Sequence, residues 1–299
     1  MNYLSLQYFL SLAYHLNFSK AAAALHISQP GLSRQISILE KELNVKLLKR
    51  STRKVSLTRE GEFLYQQLAP PFNSIQNSVN ELRQNGAAAQ MTIKIATVPS
   101  AASHIVPFLL KELKTRFPKL SFFIKETTSV HAAKLVQNGE YHLAFIRTPI
   151  DIKETIQPPL QWKEFKRSQI KLAVSSTHPY ASFGSVALES CAEETFFHFD
   201  PEHSPALYSL VEHACLSAGF VPKTIGAGPE ILTLANLMKE NIGITILPED
   251  MIELLDDRNI VGLDLKDIHL FSSISLIWHK ENERQVTEEA LSILEMVEV

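Results

Sequence analysis

The chain opens with apolar residues at helical spacing. Leu4, Tyr8, Leu12 and Leu16 recur every four positions, which predicts an amphipathic helix. The next stretch, "FSKAAAALHISQPGLSRQISILEKEL" (18–43), changes character midway. Ser19 is placed to cap a short alanine-rich helix running through Leu25. Ser28 is placed to cap a further helix, with Gln29 and Pro30 in its first turn, where proline's missing N–H costs nothing. In that helix Leu32, Ile36, Leu39 and Leu43 form a core stripe, while Pro30, Ser33, Arg34, Ser37 and Lys41 share a second face that is polar, then cationic. "LLKRSTRKVSLT" follows as two short β-leaning pieces around a basic turn at Lys49, Arg50, Arg53 and Lys54.

Thr58 is placed to cap a longer helix. Its Leu64, Leu68, Phe72, Ile75, Val79 and Leu82 make a heptad-like seam, which favours a partner helix over docking on its own domain. Pro70-Pro71 falls inside the seam and predicts a kink or a break in two. "NGAAAQ" (85–90) reads as a linker. From Met91 the pattern becomes alternating strands and helices. "MTIKIATV" (91–98), "LSFFIKET" (120–127) and "YHLAFIR" (141–147) read as buried strands separated by helices at 103–116 and 130–138, which predicts βαβ units in a largely parallel sheet. A second set comprises strands at 169–176, 195–199, 223–228 and 242–248 with helices at 205–218 and 230–241. A strand at 273–279 and a helix at 286–297 close the chain. Two βα sets of similar size imply two lobes and a cleft. The domain reading is 1–58, 59–90 for the long helix and hinge, and 91–299, with lobe I about 91–160 and 268–299 and lobe II about 161–267.

Composition changes this picture in one respect. The 299-residue chain has a net charge of −3, yet residues 1–86 carry ten Lys/Arg against five Asp/Glu, so the remainder is at −8. A basic first third on an acidic body fits a protein in which one domain meets a polyanion. The N-terminus lacks the basic n-region of a secretory signal. No apolar run reaches the length of about 18 residues needed to cross a bilayer. Two cysteines, Cys191 and Cys215, are too few for a disulfide framework, and a cytoplasmic location is expected.

Other chemistries find little support. His198, Asp200 and His203 fit no standard metal-ligand spacing, and GxSxG, GxGxxG and P-loop patterns are absent. No catalytic group, metal or cofactor is expected. Two classes of function that such a two-lobed frame could serve are a solute-binding module and an enzyme. The basic N-terminal third argues against the first, and the lack of a paired acid/base or nucleophile constellation against the second.

A helix, a tight turn and a second helix form a unit that places the second helix in a major groove, reading base edges from its N-terminal end. Short side chains there allow close approach, Gln29 and Arg34 can reach bases or phosphates, and the basic turn lies where a wing would flank the backbone. "NFSKAAAALHISQPGLSRQISILEKELNVKLLKRSTRKVSLTREGE" closely resembles the N-terminal signature of LysR-type transcriptional regulators. Ala21-Ala22, Ser28-Gln29-Pro30, Leu32-Ser33, Leu39-Glu40, Arg50 and Leu57-Thr58-Arg59-Glu60-Gly61 carry the match. "GITILP" (243–248) resembles a further family element.

The resemblance implies an all-α winged helix-turn-helix, a linker helix that pairs subunits, and a two-lobed α/β effector domain shaped like a periplasmic binding protein. It also implies homodimers or homotetramers on promoter DNA, contact with RNA polymerase, and control by a small molecule. Carried over by position, Gln29, Pro30, Ser33 and Arg34 meet bases or nearby phosphates and Arg50, Arg53 and Lys54 form the wing. Ser28 and Ser37 complete the expected DNA-facing set.

Ligands of doubly wound sheets sit beyond the strand C-termini, near helix N-termini that favour anions. "PSAAS" (99–103), "TTSV" (127–130) and "RTP" (147–149) occupy such places, and Ser100, Ala101, Thr128 and Ser129 match family positions lining the cleft. Arg147 ends a buried strand, where a cation needs a partner: an anionic effector or an internal carboxylate, unless it turns to solvent. His198, Phe199 and Gly228 are the candidates from the second lobe, Phe199 also reading simply as core. A small organic or aromatic acid is the expected effector.

Overall fold

The computed structural model describes residues 2–50, 55–85, 92–149, 151–228, 231–255, 257–266, 268–280 and 285–296. The chain divides into two compact units, Met1–Ala89 with Gln137–Glu140, and Gln90–Val136 with Tyr141–Val299.

The first unit holds helices α1 (Tyr3–His15), α2 (Phe18–Ala24) and α3 (Gln29–Leu43), strands β1 (Leu48–Arg50) and β2 (Val55–Leu57), and helix α4 (Arg59–Asn85). The apolar stripe of α1 differs from the expected one. Phe9, Leu12 and Ala13 are buried, whereas Leu4 is 53% exposed and Leu16 becomes the left-handed C-cap at φ 46. The helix is rotated so that Phe9 fills the core. Asn17, not Ser19, caps α2, its side chain accepting from the Lys20 amide at 3.0 Å. Ser28 caps α3 as expected, accepting from Gly31 N at 3.2 Å. Ala21 and Ala22 are buried against Leu32, Ile36 and Leu39, so the small side chains of α2 bring the two helices close.

β1 and β2 pair antiparallel, Leu48 opposite Leu57 and Arg50 opposite Val55. Thr58 Oγ1 accepts from Gly61 N at 3.0 Å and starts α4. That helix runs on through Pro70-Pro71 as one element, so of the expected kink or break the break does not occur. Phe72 stacks on Tyr3 with ring centroids 4.3 Å apart, so part of the seam docks on its own unit. Ile75 and Val79 remain 50% and 39% exposed. The side chain of Leu82 and the linker at 86–90 lie outside the described residues.

The second unit runs β3 (Thr92–Thr97), α5 (Pro99–Arg116), β4 (Ser121–Glu126), α6 (Ser129–Gln137), β5 (Leu143–Arg147), α7 (Ile152–Thr155) and β6 (Leu160–Ser175). It continues with β7 (Ser185–Val186), β8 (Thr195–Phe199), α8 (Pro205–Ser217), β9 (Lys223–Gly228), α9 (Ile231–Lys239) and β10 (Thr245–Pro248). Helix α10 (Glu249–Leu255), strands β11 (Ile260–Leu265) and β12 (Phe271–His279) and helix α11 (Gln285–Met296) complete it.

The sheet order β4-β3-β5-β12-β6-β11-β7, with β10 also on β6, is mixed rather than largely parallel. β3 pairs parallel with β4 and β5, but β12 and β6 run antiparallel to their neighbours. The sixteen-residue β6 explains this. Its first part pairs with β12 and its last part with β10 and β11, so one strand passes from one half of the unit to the other and β12 returns.

Three buried clusters flank this crossing. One gathers Ile95, Leu109, Phe145, Leu276 and Ile293, a second Ala96, Leu135, Ala144, Ile146 and Ile277, and a third Leu172, Phe196, Val211, Met238 and Ile246. The first two belong to lobe I and the third to lobe II. Gly243 opens "GITILP" where a Cβ would lie 2.9 Å from Thr195 O, a close approach that only glycine permits. β4 departs from the expected buried strand. It is the sheet edge, with Phe122, Phe123 and Ile124 exposed at 49%, 56% and 38%.

Candidate functional site

The first site is the outer face of α3. Leu32, Ile36 and Leu39 are fully buried, which leaves the polar face outward. Ser28, Gln29, Pro30 and Arg34 are exposed there, and Ser33 and Ser37 half-buried beside them. Gln29 Oε1 accepts from Ser19 Oγ at 3.2 Å, linking the start of α3 to α2 across the turn. Ser37 Oγ donates to Ser33 O at 2.9 Å. The backbone of Arg50 lies in β1; its side chain, and Arg53 and Lys54 entirely, fall outside the described residues.

Glu40 holds this surface onto the hairpin. Buried at the inner side of α3, it accepts from the amides of Leu47 (2.9 Å) and Leu48 (3.2 Å) and from Lys46 Nζ (3.1 Å). Burial by itself raises its pKa, but the Leu47 amide, Lys46 and the Leu48 amide together outweigh that and hold it below the ordinary glutamate value. A depressed folded pKa contributes stability that is present above the unfolded value, ordinarily about 4.3, and is lost as pH falls through the folded one. Glu40→Gln is therefore expected to cost about 1–3 kcal/mol at neutral pH and to flatten the acid limb of the stability curve. Urea titrations at pH 7 and pH 4 check this, and an unchanged acid limb contradicts it.

The second site is a cavity of about 360 Å³ between the lobes. Lobe I contributes Val98, Pro99 and Ser100 from the start of α5, Thr127, Thr128 and Ser129 from the start of α6, Glu126, and Arg147 at the end of β5. Lobe II contributes Phe199 from β8, Ser204, Ala206 and Leu207 from the start of α8, Ile231 from α9, and Met251 and Leu254 from α10. Polar groups predominate on the lobe I wall and apolar groups on the lobe II wall, where Ser204 is the exception. Three helix N-termini point here because each follows the C-terminal end of a strand. The N-cap residues of α5 and α8, Val98 and Ser204, form no side-chain cap bond, whereas Thr128 Oγ1 accepts from His131 N at 3.3 Å. Ser129 Oγ accepts from Arg147 N at 3.1 Å and ties α6 to β5.

Arg147 resolves its alternatives in favour of an internal partner. Its Nη1 and Nη2 donate to Asp250 Oδ1 and Oδ2 at 3.1 and 2.7 Å, both side chains being nearly fully buried. Nη2 also donates to Ser100 Oγ at 2.7 Å and Nη1 to Ser272 Oγ at 3.4 Å. The cavity therefore presents no bare cation, because a buried guanidinium without a counter-ion is too costly.

Of the other predicted ligand residues, Ser100, Thr128, Ser129 and Phe199 line the cavity, but Ala101, His198 and Gly228 do not. Ala101 is fully buried, turned into the lobe I core. Strand alternation explains His198: Phe199 faces the cavity, so its neighbour faces α8. There His198 packs on Tyr208 with Nε2 3.1 Å from Glu212 Oε1. Burial lowers its pKa, partly opposed by Glu212. Sequence reasoning missed Asp250 and the apolar wall from α8, α9 and α10. Pro248 followed by Glu249 and Asp250, ahead of Met251, Ile252, Leu254 and Leu255, is the sign of α10 in the sequence.

Two family models account for nearly the whole chain. A bacterial regulatory helix-turn-helix model of the lysR family matches residues 4–62, and a LysR substrate binding domain model matches residues 86–294. The chain belongs to the LysR family. It is a DNA-binding transcriptional regulator with an effector-binding domain, and its relatives are regulators rather than enzymes. The HTH-type transcriptional regulator AlsR of Bacillus subtilis is 26% identical over 96% of this chain and 93% of that protein. The DNA-binding transcriptional dual regulator OxyR of Escherichia coli is 29% identical over 83% and 79%.

Among solved structures, CbnR, a LysR family transcriptional regulator, superposes with a TM-score of 0.65 at 20% identity, covering 99% of each chain. Full-length CbnR with its target DNA gives a TM-score of 0.64 at 20% identity, again covering 99% of each. Several relatives of this LysR protein are named hydrogen peroxide-inducible activators. Its own two cysteines are free thiols, both buried. Burial pushes Cys191 up to about 11 and Cys215 up to about 12, with nearby Glu194 and Glu212 adding to the rise, so neither supplies a nucleophilic thiolate. Among the described residues no helix is long and apolar enough to cross a membrane.

Proposed function

We propose that this LysR regulator reads promoter DNA with the outer face of α3 and answers to a small organic acid bound between its lobes. The observation carrying the first part is the division of α3: a fully buried apolar stripe opposite exposed Gln29, Pro30 and Arg34 at the helix's N-terminal end. Ser28, Ser33 and Ser37 keep that face short enough for close approach. Arg50, Arg53 and Lys54, the basic run of the sequence after α3, supply phosphate contacts and make binding salt-dependent. The CbnR complex with its target DNA supports this placement by fold alone.

Ser100, Thr128, Ser129 and Ser204 at the starts of α5, α6 and α8 offer hydroxyls and the positive ends of helix dipoles to a carboxylate. Phe199, Leu207, Ile231 and Met251 offer an apolar wall to its carbon skeleton. Exposed Ile75 and Val79 on α4, and the exposed apolar edge strand β4, support homodimers assembling into tetramers. Contact with RNA polymerase and a cytoplasmic setting belong to the same reading.

A mobility-shift titration on the chain's own upstream intergenic DNA tests the DNA reading. Specific binding that weakens steeply between low and moderate salt is expected, and absent or salt-insensitive binding contradicts it. Arg34→Ala is expected to cost about 1–3 kcal/mol of specific binding while leaving non-specific binding in place. Specific binding equal to the unsubstituted chain excludes α3 as the reading helix.

A further inference from the structure

We infer that the effector is an α-amino acid with an apolar side chain, its ammonium group met by Glu126 and its carboxylate by the hydroxyls at the starts of α5 and α6. The inference rests on the cavity being the effector site. It narrows the small organic acid of that reading to one that also carries a positive charge.

The charges on the cavity wall decide the first half. Among the described residues that line it, only Glu126 and Arg147 are charged. Arg147 is neutralised by the two carboxylate oxygens of Asp250. Glu126 has no hydrogen bond or ion pair to any described residue. Lys125 beside it lies on the other face of β4 by strand alternation. The lining thus carries one uncompensated negative charge. Glu126 repels a bare acid entering this space, whereas an ammonium group on the same molecule is attracted to it.

The hydroxyls decide the second half. Ser100, Thr128 and Ser129 each accept a protein N–H, from Arg147 Nη2 at 2.7 Å, His131 N at 3.3 Å and Arg147 N at 3.1 Å. A hydroxyl that accepts in this way keeps its own O–H to donate. None of the three finds an acceptor among the described residues. Ser100 is only 5% exposed, so its O–H has the cavity rather than bulk water to turn to. The first-turn amides of α5 and α6 add donors that have no partner inside their helices. Hydroxyls set as donors suit a group that only accepts, as an ionised carboxylate does.

Spacing joins the two ends on one small molecule. Glu126 is the last paired residue of β4, opposite Thr97, and Thr127 alone separates it from Thr128. Two residues of extended chain span about 7 Å. Acceptor and donors are therefore neighbours, as an α-amino acid requires with both charged groups attached to one carbon. From lobe II, Phe199, Leu207, Ile231 and Met251 present an apolar surface to its side chain.

The test is calorimetric titration of the full chain with leucine and phenylalanine, and with isocaproate and hydrocinnamate, the same skeletons and carboxylates without the amine. At least one amino acid is expected to bind at least about fivefold more tightly than its deaminated twin, the margin of one partly solvated ion pair. Glu126→Gln is expected to bring the two within about twofold, the amino acid weakening and the twin holding or gaining. Glu126 is exposed, so this substitution leaves the fold in place, which unchanged thermal unfolding verifies. Ser129→Ala, at the carboxylate end, is expected to weaken both members of the pair by a similar factor.

A twin that binds as tightly as its amino acid overturns the inference and leaves the small-acid reading standing. A preference that survives Glu126→Gln, or that Ser129→Ala abolishes, also overturns it. No binding of any of the four compounds removes the inference and the small-acid reading together. None of these measurements involves DNA, so failure here is separable from failure of the DNA reading.

Discussion

Gly61→Ala is expected to disrupt the helix-turn-helix unit and to reduce specific DNA binding by at least about tenfold, because the added methyl group has nowhere to go. A Cβ on Gly61 would lie 2.0 Å from Leu47 O and 2.9 Å from Leu47 C, both backbone atoms. No side chain can swing aside to relieve that overlap. The close approach is built by two hydrogen bonds: Thr58 N donates to Leu47 O at 3.0 Å, and Gly61 N donates to Thr58 Oγ1 at 3.0 Å. Together they seat the first turn of α4 on the strand end that leads into β1. Relief requires moving α4 or the hairpin, and Leu47 N is also where Glu40 grips from α3.

Overpacking in a well-packed region ordinarily costs about 1–3 kcal/mol, and a backbone-on-backbone clash belongs at or above the upper end. Anisotropy titration with operator DNA and urea unfolding followed by far-UV circular dichroism measure the two effects. Gly184→Ala is the control, since a Cβ there meets nothing within 4 Å. Gly61→Ala behaving like Gly184→Ala would show that α4 is not held on Leu47 as described.

The same residue illustrates what could be read from the sequence. Gly61 belongs to a recognisable string, Leu57-Thr58-Arg59-Glu60-Gly61, but the string does not say what the glycine avoids. That depends on Leu47, fourteen positions earlier. The helix-turn-helix was legible because its determinants are local: a cap at Ser28, a four-residue apolar period, and a polar face. The errors there were also local. Leu4 and Leu16 share the period of α1 but not its packing, since Phe9 competes for the same core, and Asn17 outcompetes Ser19 as a cap.

In the second unit most strands were legible, but β7, β11 and the first half of β6 were not, and neither were the strands' partners. "LSFFIKET" has the composition of a buried strand and is an edge. Nothing within eight residues records which neighbour will cover it. The cavity was legible only on its lobe I wall, where strand ends and helix starts adjoin in sequence. The partner of Arg147 lies 103 positions away, and no local pattern joins "FIRTP" to "LPEDM".

Arg147→Ala is expected to destabilise the effector-binding unit by about 3–5 kcal/mol, the usual consequence of removing one member of a buried ion pair. Side-chain exposure is 4% for Arg147 and 3% for Asp250, so water does not compensate the survivor. Asp250 is then left charged against apolar neighbours, Met251 among them, and Ser100 and Ser272 lose their shared donor. Taking both charges out at once is a different matter. Arg147→Met with Asp250→Leu replaces the pair by apolar groups of similar reach, and such replacements are often neutral or stabilising, because two desolvation costs disappear along with one attraction.

A double-mutant cycle on the full chain, with thermal unfolding of the effector-binding unit as readout, separates these outcomes. The double substitution is expected to be much closer to the unsubstituted chain than either single one. An Arg147→Ala cost below about 1 kcal/mol would place the pair in the range of exposed ion pairs and contradict its burial. Additive single costs would mean that the two side chains do not neutralise each other. Large coupling with a stable double variant is the signature of a pair kept for what it does between the lobes, since stability alone does not require it.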